Sequence, residues 1–449
     1  MGNIPTDRHE TVIYPTRLSR TVVRITDILR GGFTGQEVTV RGWIYRTRSV
    51  GGKAFVVLRD STGILQVTVS KESVPTDHFD AAERALIESS ATARGTVVQD
   101  KRAPGGYEVR ASEFRVISYA EKFPIQQDLS EEFLLDVRHL WVRSQRMTAI
   151  FRVRHTVFGA VHEYFRGHGF WEVHPPMITP VGSEGGSTLF SVEYFGRKAY
   201  LTQSWQLYAE ALVLAMEKVY YIGPSFRAEK SRTTRHLTEY WHCEMEEAWA
   251  GLSDVLHHAE GVIAHASHRA AEQNADDLRF LGCDVESLKN VRTPFEHITY
   301  DEALHRLREK GMEVEWGKDL RTLEERALTE LAPQPMVVSH YPRVSQAFYK
   351  RRDPENPRLA LNFDVIAPGV GEIVGGSERE IDMEVLKDAI SGSGEDPGQY
   401  EWYLDTRRFG NVQHAGFGMG MERLIQWICR LEHIRDAVAF PRTPARFAP

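Results

Sequence analysis

Three stretches of the 449-residue chain gather the side chains that could do chemistry. The first is PSFRAEKSRTTRHLTEYWHCEME, residues 224–246. Arg227 and Glu229 are two apart and share one face of a strand. Lys230, Arg232, Arg235 and His236 then crowd a loop without apolar residues, and Tyr240, His242, Glu244 and Glu246 alternate back along a second strand. Arginine offers phosphate a planar fork and an aromatic ring offers a base a stacking surface, so this face suits a nucleoside polyphosphate. A solvated hairpin with cross-strand ion pairs would share the spacing.

The second stretch is NFDVIAPGVGEIVGGSEREID, residues 362–382, where Asp364, Glu372, Glu378 and Arg379 interrupt an apolar, strand-like run. Carboxylates in such a setting are paired or bind a hard cation such as Mg²⁺. Charges along an edge strand are the plainer alternative. Glu372 and Arg379 are seven apart, so a regular strand would aim them at opposite faces. A bulge at Gly375-Gly376 would reset that parity, turning both to one cavity and Glu378 away.

The third stretch is HAGFGMGMERLIQWICRLEHI, residues 414–434. Gly416, Gly418 and Gly420 precede an amphipathic helix starting near Met421; their G-x-G-x-G spacing is not the dinucleotide fingerprint. They permit close backbone approach, and Arg423 in the first turn opposes the helix dipole unless an anion sits there. His257, His258, His265 and His268 share one helical stretch without the carboxylate or thiolate partners of a zinc site.

Elements that would position these groups can be read along the chain. Segments 38–46, 54–59, 64–69, 91–99 and 107–117 are β-branched or aromatic, and 77–90 reads as a helix after the third. Five strands with that helix predict a small closed barrel of the oligonucleotide-binding type. Residues 118–140 form a polar connector in which Phe123-Pro124 discourages helix. A helix is expected from Arg143 to about Gly167, then extended chain through Phe170–Pro180. Helices at 204–218, 253–274 and Met421–Leu431, a hairpin-like 219–249, and strands around 336–341 and 359–382 complete the pattern. Strands and helices do not alternate regularly, which predicts an α+β domain with an antiparallel sheet. The expected organisation is an extension at 1–21, a barrel at 22–120, a linker at 121–140 and a large domain at 141–449.

Composition agrees with a globular chain of two or three domains: 42% apolar and 26% charged residues exclude a disordered or collagen-like polymer. The net charge of −7 excludes a broadly basic protein, although residues 1–60 hold ten Lys/Arg against five Asp/Glu, a hint of a polyanionic partner. Three scattered cysteines, and no apolar run approaching the ~18 residues of a spanning helix, predict a cytoplasmic protein away from membranes.

In this order the three stretches resemble the signature motifs of the class II aminoacyl-tRNA synthetases. FRAE with its basic loop and RHLTEYW resembles motif 2, about 224–246, and GFGMGMERL resembles motif 3, about 414–431. GFWEVHPPMITP after a long helix resembles motif 1, about 150–180, which in the family supports a homodimer. From residue 22 to the terminal PRTPARFAP the chain is similar to the aspartyl/asparaginyl subclass. That likeness implies an N-terminal OB-fold β-barrel for the anticodon, then a catalytic domain with an antiparallel sheet flanked by helices.

The helix of LTQSWQLYAEA, residues 201–211, separates the branches of that subclass. Aspartyl enzymes carry QSPQLYKQ, whose lysine pairs with the substrate carboxylate. Here Ala209 takes the lysine's place, and Glu210 takes the place of the glutamate of asparaginyl enzymes. Gln206 and Glu210, four apart, share a helix face. A carboxylate there accepts from an amide and repels aspartate, and an unpaired buried charge costs several kcal/mol. Together with SEGGSTLF, the segment looks like the asparaginyl branch found in archaea.

The resemblance implies activation of L-asparagine by ATP and transfer to the 3′-hydroxyl of tRNA(Asn). Relaxed aspartyl charging and a tRNA-independent relative that makes asparagine are the alternatives. It gives the α-amino group to Glu184 and Gln203, the α-phosphate and carboxylate to Arg227, and the substrate α-carboxylate also to Arg379. Adenine would meet Glu229 and lie between Tyr240 and Arg423 beside Gly420, with Arg235 and His236 on the outer phosphates. Glu372, with Asp364 and Gly375, would hold Mg²⁺. Phe55 would stack on an anticodon base near Arg46, Arg59 and Gln66. One departure is visible: the family's usual GGSQRE is GGSERE here, with Glu378 next to Arg379.

Overall fold

The computed structural model describes residues 22–125, 129–183, 188–230, 233–330 and 332–449. It divides after Glu131 into two compact units. In the first, β1 (Glu37–Val50), β2 (Lys53–Arg59), β3 (Ile64–Ser70), β4 (Ser90–Gln99) and β5 (Tyr107–Ser118) close a barrel in the order β1-β2-β3-β5-β4. Alternation drives the closure: Val38, Val40 and Ile44 of β1 and Leu65, Val67 and Val69 of β3 point inward and are buried. The helix after β3 spans Thr76–Arg84, shorter than expected, and leaves Leu86 and Ile87 exposed.

In the second unit, β6 (Trp171–Glu172) is followed by a small sheet of β7 (Ile178–Thr179), β8 (Ser191–Tyr194) and β9 (Arg197–Leu201). Next come β10 (Lys218–Phe226), β11 (Glu239–Ala248), β12 (Glu296–Thr299) and β13 (Met336–Ser339). Last are β14 (Asn362–Ala367), β15 (Gly371–Glu378) and β16 (His414–Gly420). The main sheet has eight strands in the order β12-β13-β14-β15-β16-β11-β10-β6. Its six inner strands are antiparallel, but β12 and β6 join parallel at the edges. The expected antiparallel sheet thus carries one parallel strand at each edge; edge strands of two and four residues have no readable alternation.

Helices Gln145–Gly167 and Leu252–Gln273 pack on the sheet. Val153, Val157 and Phe165 from one and Ala259, Val262 and Ala266 from the other share a core with Val365, Val374 and Met419 of the strands. The first of these helices starts later than Arg143 because Ser144 Oγ accepts from the Met147 N–H at 3.2 Å, a side-chain cap. The second half of the expected connector is not irregular either: it forms helices Glu131–Asp136 and Arg138–Trp141. Arg138 is wholly buried there, donating to the carbonyls of Ala439 at 2.8 Å, Val438 at 2.8 Å and Arg435 at 2.9 Å. Its carbonyl partners lie about 300 residues later in the chain, so nothing near Arg138 in the sequence marks it as buried. Among the described residues, no helix is long and apolar enough to cross a membrane.

Candidate active site

The β10–β11 hairpin pairs Phe226 with Glu239, so the residues after β10 and those before β11 leave the sheet together. Every second residue of β11, namely His242, Glu244 and Glu246, then faces a cavity of about 280 Å³. β15 and β16 supply its floor. A side chain at Gly418 would lie 2.5 Å from His242 Nε2, so only glycine lets that imidazole rest on the sheet. An adjoining cavity is lined by Glu229, His236, Tyr240, Gly420 and Arg423. Arg227, Arg235, His242, Glu372 and Gly418 line both. The guanidinium carbon of Arg227 stands 5.6 Å from the centre of the Tyr240 ring.

Glu372 and Arg379 do face one cavity, and Glu378 faces away. The bulge that resets parity lies two residues before the expected Gly375-Gly376 pair, at Ile373, because Ile366 pairs with Glu372 and Val365 with Val374. Gly375 has another use: a side chain there would come within 3.1 Å of Glu372 Oε1 and 3.4 Å of Asp364 Oδ1, so the glycine leaves both carboxylates room to converge. Glu378 accepts from the Leu252 N–H at 2.9 Å at the start of a helix and from Arg351 Nη1 at 3.0 Å.

Charges in the cavity are strongly coupled. Burial opposes ionisation of Glu372, yet Arg423, Arg235 and Arg227 outweigh it and hold the carboxyl at about 2. Arg423 Nη1 donates to Glu372 Oε2 at 3.0 Å and to its carbonyl oxygen at 2.8 Å. Asp364 behaves oppositely: burial and the Glu372 charge push it well above its ordinary range. Asp319 is raised for the same two reasons. His236 is pushed down to about 4 by burial and by Arg423 and Arg235, so it stands as a neutral imidazole. Arg235 is already paired with buried Glu325. The pair expected on outer phosphates is thus one committed cation and one uncharged ring.

Gln206 and Ala209 form the cavity wall at its other end, beside Arg379. Arg379 holds Glu246 with Nε at 2.9 Å and Nη2 at 2.8 Å, and donates to Ser377 Oγ at 2.8 Å. Its guanidinium carbon is 5.5 Å from the Tyr349 ring centre. Glu210 is wholly buried behind this wall rather than on it. Its Oε1 accepts from Gln206 Nε2 at 2.9 Å. Its Oε2 accepts from the Tyr403 hydroxyl at 2.8 Å and from Arg407, and lies 3.0 Å from His414 Nε2. Burial alone would raise this carboxyl, but Arg407 and His414 outweigh it and keep it ionised. The expected naked charge is therefore a neutralised one. Arg379 and Arg407 are thus each balanced by one carboxylate, Glu246 and Glu210.

Other expected residues fall elsewhere. Gln203 is buried outside the cavity lining, donating to Thr188 Oγ1 at 2.6 Å. Glu184 and Arg232 lie outside the described residues. On the barrel, Arg46 is exposed on β1, and half-buried Phe55 carries the guanidinium of Arg48 at 4.8 Å from its ring centre. Arg59 is buried and grips Glu88 at 2.9 and 3.1 Å. Gln66 is likewise buried, donating to Glu108 Oε2 at 2.9 Å. Sequence reading missed Asp319, Glu325, Tyr349 and Lys350 in the wall. They lie in the helix Thr322–Thr329 and in loops on either side of β13, where no motif flags them.

Residues 130–444 match the family of tRNA synthetases class II (D, K and N), and residues 38–117 match the OB-fold nucleic acid binding domain. The chain is 48% identical over 416 residues to the asparagine--tRNA ligase of Thermococcus gammatolerans, covering 92% of this chain and 96% of that one. It is 43% identical to the asparagine--tRNA ligase of Thermoplasma acidophilum over 95% of this chain and all of the relative. Its fold superposes on asparaginyl-tRNA synthetase from Pyrococcus horikoshii complexed with asparaginyl-adenylate. The TM-score is 0.93 and the identity 44%, over 96% of this chain and 100% of that one.

Proposed function

The chain belongs to the class II tRNA synthetases (D, K and N), and on that premise we propose that it activates L-asparagine with ATP and esterifies it to tRNA(Asn). One observation carries the choice of amino acid. The side-chain amide of Gln206 already donates to Glu210 Oε1 beside Ala209, so a carboxamide occupies the place the substrate's amide would take. Asparagine would displace one amide with another and offer its carbonyl oxygen to Arg379. This assigns Arg379 to the side chain and leaves the α-carboxylate to Arg227. Glu244 in the same wall suits the α-ammonium group.

The substrate carboxylate is ionised at neutral pH and attacks the α-phosphorus of ATP in line, so no general base is required. Arg227, which lines both cavities, spans nucleophile and α-phosphate and neutralises the charge that builds between them. Tyr240 and Arg423 enclose the adenine and Glu229 meets its amino group. Pyrophosphate leaves, and the ribose 3′-hydroxyl of the tRNA takes the aminoacyl group. Asparagine-dependent ATP–pyrophosphate exchange together with charging of tRNA(Asn) tests this reading; exchange without charging would favour a tRNA-independent relative.

Glu372 and Asp364 fit a Mg²⁺ ion brought in on ATP, since two carboxylates converge over Gly375 and this ion takes most remaining ligands from phosphate and water. When bound it would neutralise phosphate charge. Among the described residues no three such groups form a ready-made cage. The reading carries with it the homodimer and the cytoplasmic setting that the family resemblance implies.

Asp364→Asn should separate the two sides of this arrangement. A carboxyl raised by folding takes up a proton, which costs stability as pH climbs above its unfolded value of about 4. The variant is therefore expected to melt at higher temperature without ligand, with a larger gain at pH 8 than at pH 5. Its Mg²⁺ requirement in exchange should rise about tenfold. A variant less stable at pH 8 would contradict the raised Asp364. For Glu378→Gln the expected asparagine KM lies within threefold of the parent, because that side chain faces a helix end and Arg351. Stability should fall by about 1 kcal/mol with the lost ion pair. A tenfold KM shift would refute this.

A further inference from the structure

Arg154 lies on the helix Gln145–Gly167, far in sequence from the residues that line the cavities. Its Nη1 reaches Glu422 Oε1 at 2.8 Å and donates to the Ala437 carbonyl at 3.0 Å, while its guanidinium carbon sits 4.4 Å from the Phe158 ring centre. Glu422 is 1% exposed and immediately precedes Arg423 in the first turn of Met421–Ile428. The other oxygen of Glu422 accepts from the Trp241 N–H at 2.8 Å.

That last bond has a clear origin. Pairing of β11 with β16 ends where His242 meets Gly420, so Trp241 has no strand partner on that side. An N–H left at the end of a ladder takes another acceptor, and the Glu422 carboxylate continues the ladder where the strand stops. Trp241 itself stands between Tyr240 and His242, which both line the nucleotide cavity. One carboxylate therefore ties the backbone that carries Tyr240 to the turn that carries Arg423. Arg154 is the cation paired with this carboxylate.

We propose that Arg154 is a positioning residue for ATP, acting through Glu422 to hold Arg423 and Tyr240 at a fixed separation. The inference rests on the reading that these two side chains enclose the adenine. Burial pushes the Glu422 carboxyl upward and Arg154 opposes it, so loss of the arginine leaves a buried charge or forces a proton onto the acid. Either outcome loosens the link to Trp241 and to the helix turn. Asparagine, held at the Gln206–Ala209 end, does not depend on it.

The test measures KM for ATP and for asparagine separately in pyrophosphate exchange. Arg154→Met is expected to raise the ATP KM at least tenfold with the asparagine KM within threefold of the parent. The double variant Arg154→Met/Glu422→Gln removes the buried charge but keeps an acceptor for the Trp241 N–H, and should return the ATP KM to within threefold. The proposal is overturned by an ATP KM unchanged in Arg154→Met, by both KM values rising together, or by a double variant no better than the single one. If Arg154→Met does not fold, Arg154→Lys keeps the charge without the fork; a three- to tenfold rise in ATP KM alone supports the proposal, and no rise overturns it. Absence of exchange in the parent chain would instead remove the functional reading.

Discussion

Arg227→Met is expected to lower asparagine-dependent ATP–pyrophosphate exchange by about a thousandfold, with the fold intact by circular dichroism. Removing one preorganised donor from a developing oxyanion costs about 10²–10³ in rate. Arg227 stands to cost at least the upper figure, because it brings a full charge and, among the described residues, is one of two arginines that line both cavities. The other, Arg235, is already paired with Glu325 and cannot substitute. Loss of Arg227 also removes one of the three cations that hold Glu372 down. The Glu372 carboxyl should therefore rise, and the residual activity should fall at a higher pH on the acid side than in the parent. A variant that retains a tenth of the exchange rate would mean that Arg227 does not touch the reacting atoms.

Glu210→Gln is the second large effect. The substitution keeps the size of the side chain and leaves Arg407 buried without its counter-charge. Breaking a buried pair in this way costs about 3–5 kcal/mol. The cavity end then carries a net positive charge next to Gln206 and Ala209, which disfavours a neutral substrate side chain relative to an acidic one. Asparagine kcat/KM is expected to fall at least a hundredfold, and the asparagine-to-aspartate preference by a similar factor, since each 1.4 kcal/mol is about tenfold. Thermal stability should fall as well. Unchanged preference in a folded variant would place the discrimination elsewhere.

Much of this site is visible in the linear sequence where chemistry coincides with strand parity. Arg227 and Glu229, then Tyr240, His242, Glu244 and Glu246, alternate, and the hairpin register turns the latter set to the cavities. The shared direction of Glu372 and Arg379 follows from a bulge, which sits at the β-branched Ile373 rather than at the more permissive glycine pair. What could not be read is charge balance. Tyr403, Arg407 and His414 reach Glu210 from about 200 residues later in the chain, and no local pattern announces them. The same applies to Glu88, which holds Arg59 in a buried ion pair. In each case the residue itself was conspicuous, and its partner decided what it does.

The most direct measurement is the ratio of kcat/KM for L-asparagine to that for L-aspartate in ATP–pyrophosphate exchange by the purified chain. A charge-balanced, amide-shaped cavity end predicts a preference for asparagine of roughly a thousandfold. Equal rates, or a preference for aspartate, would contradict it.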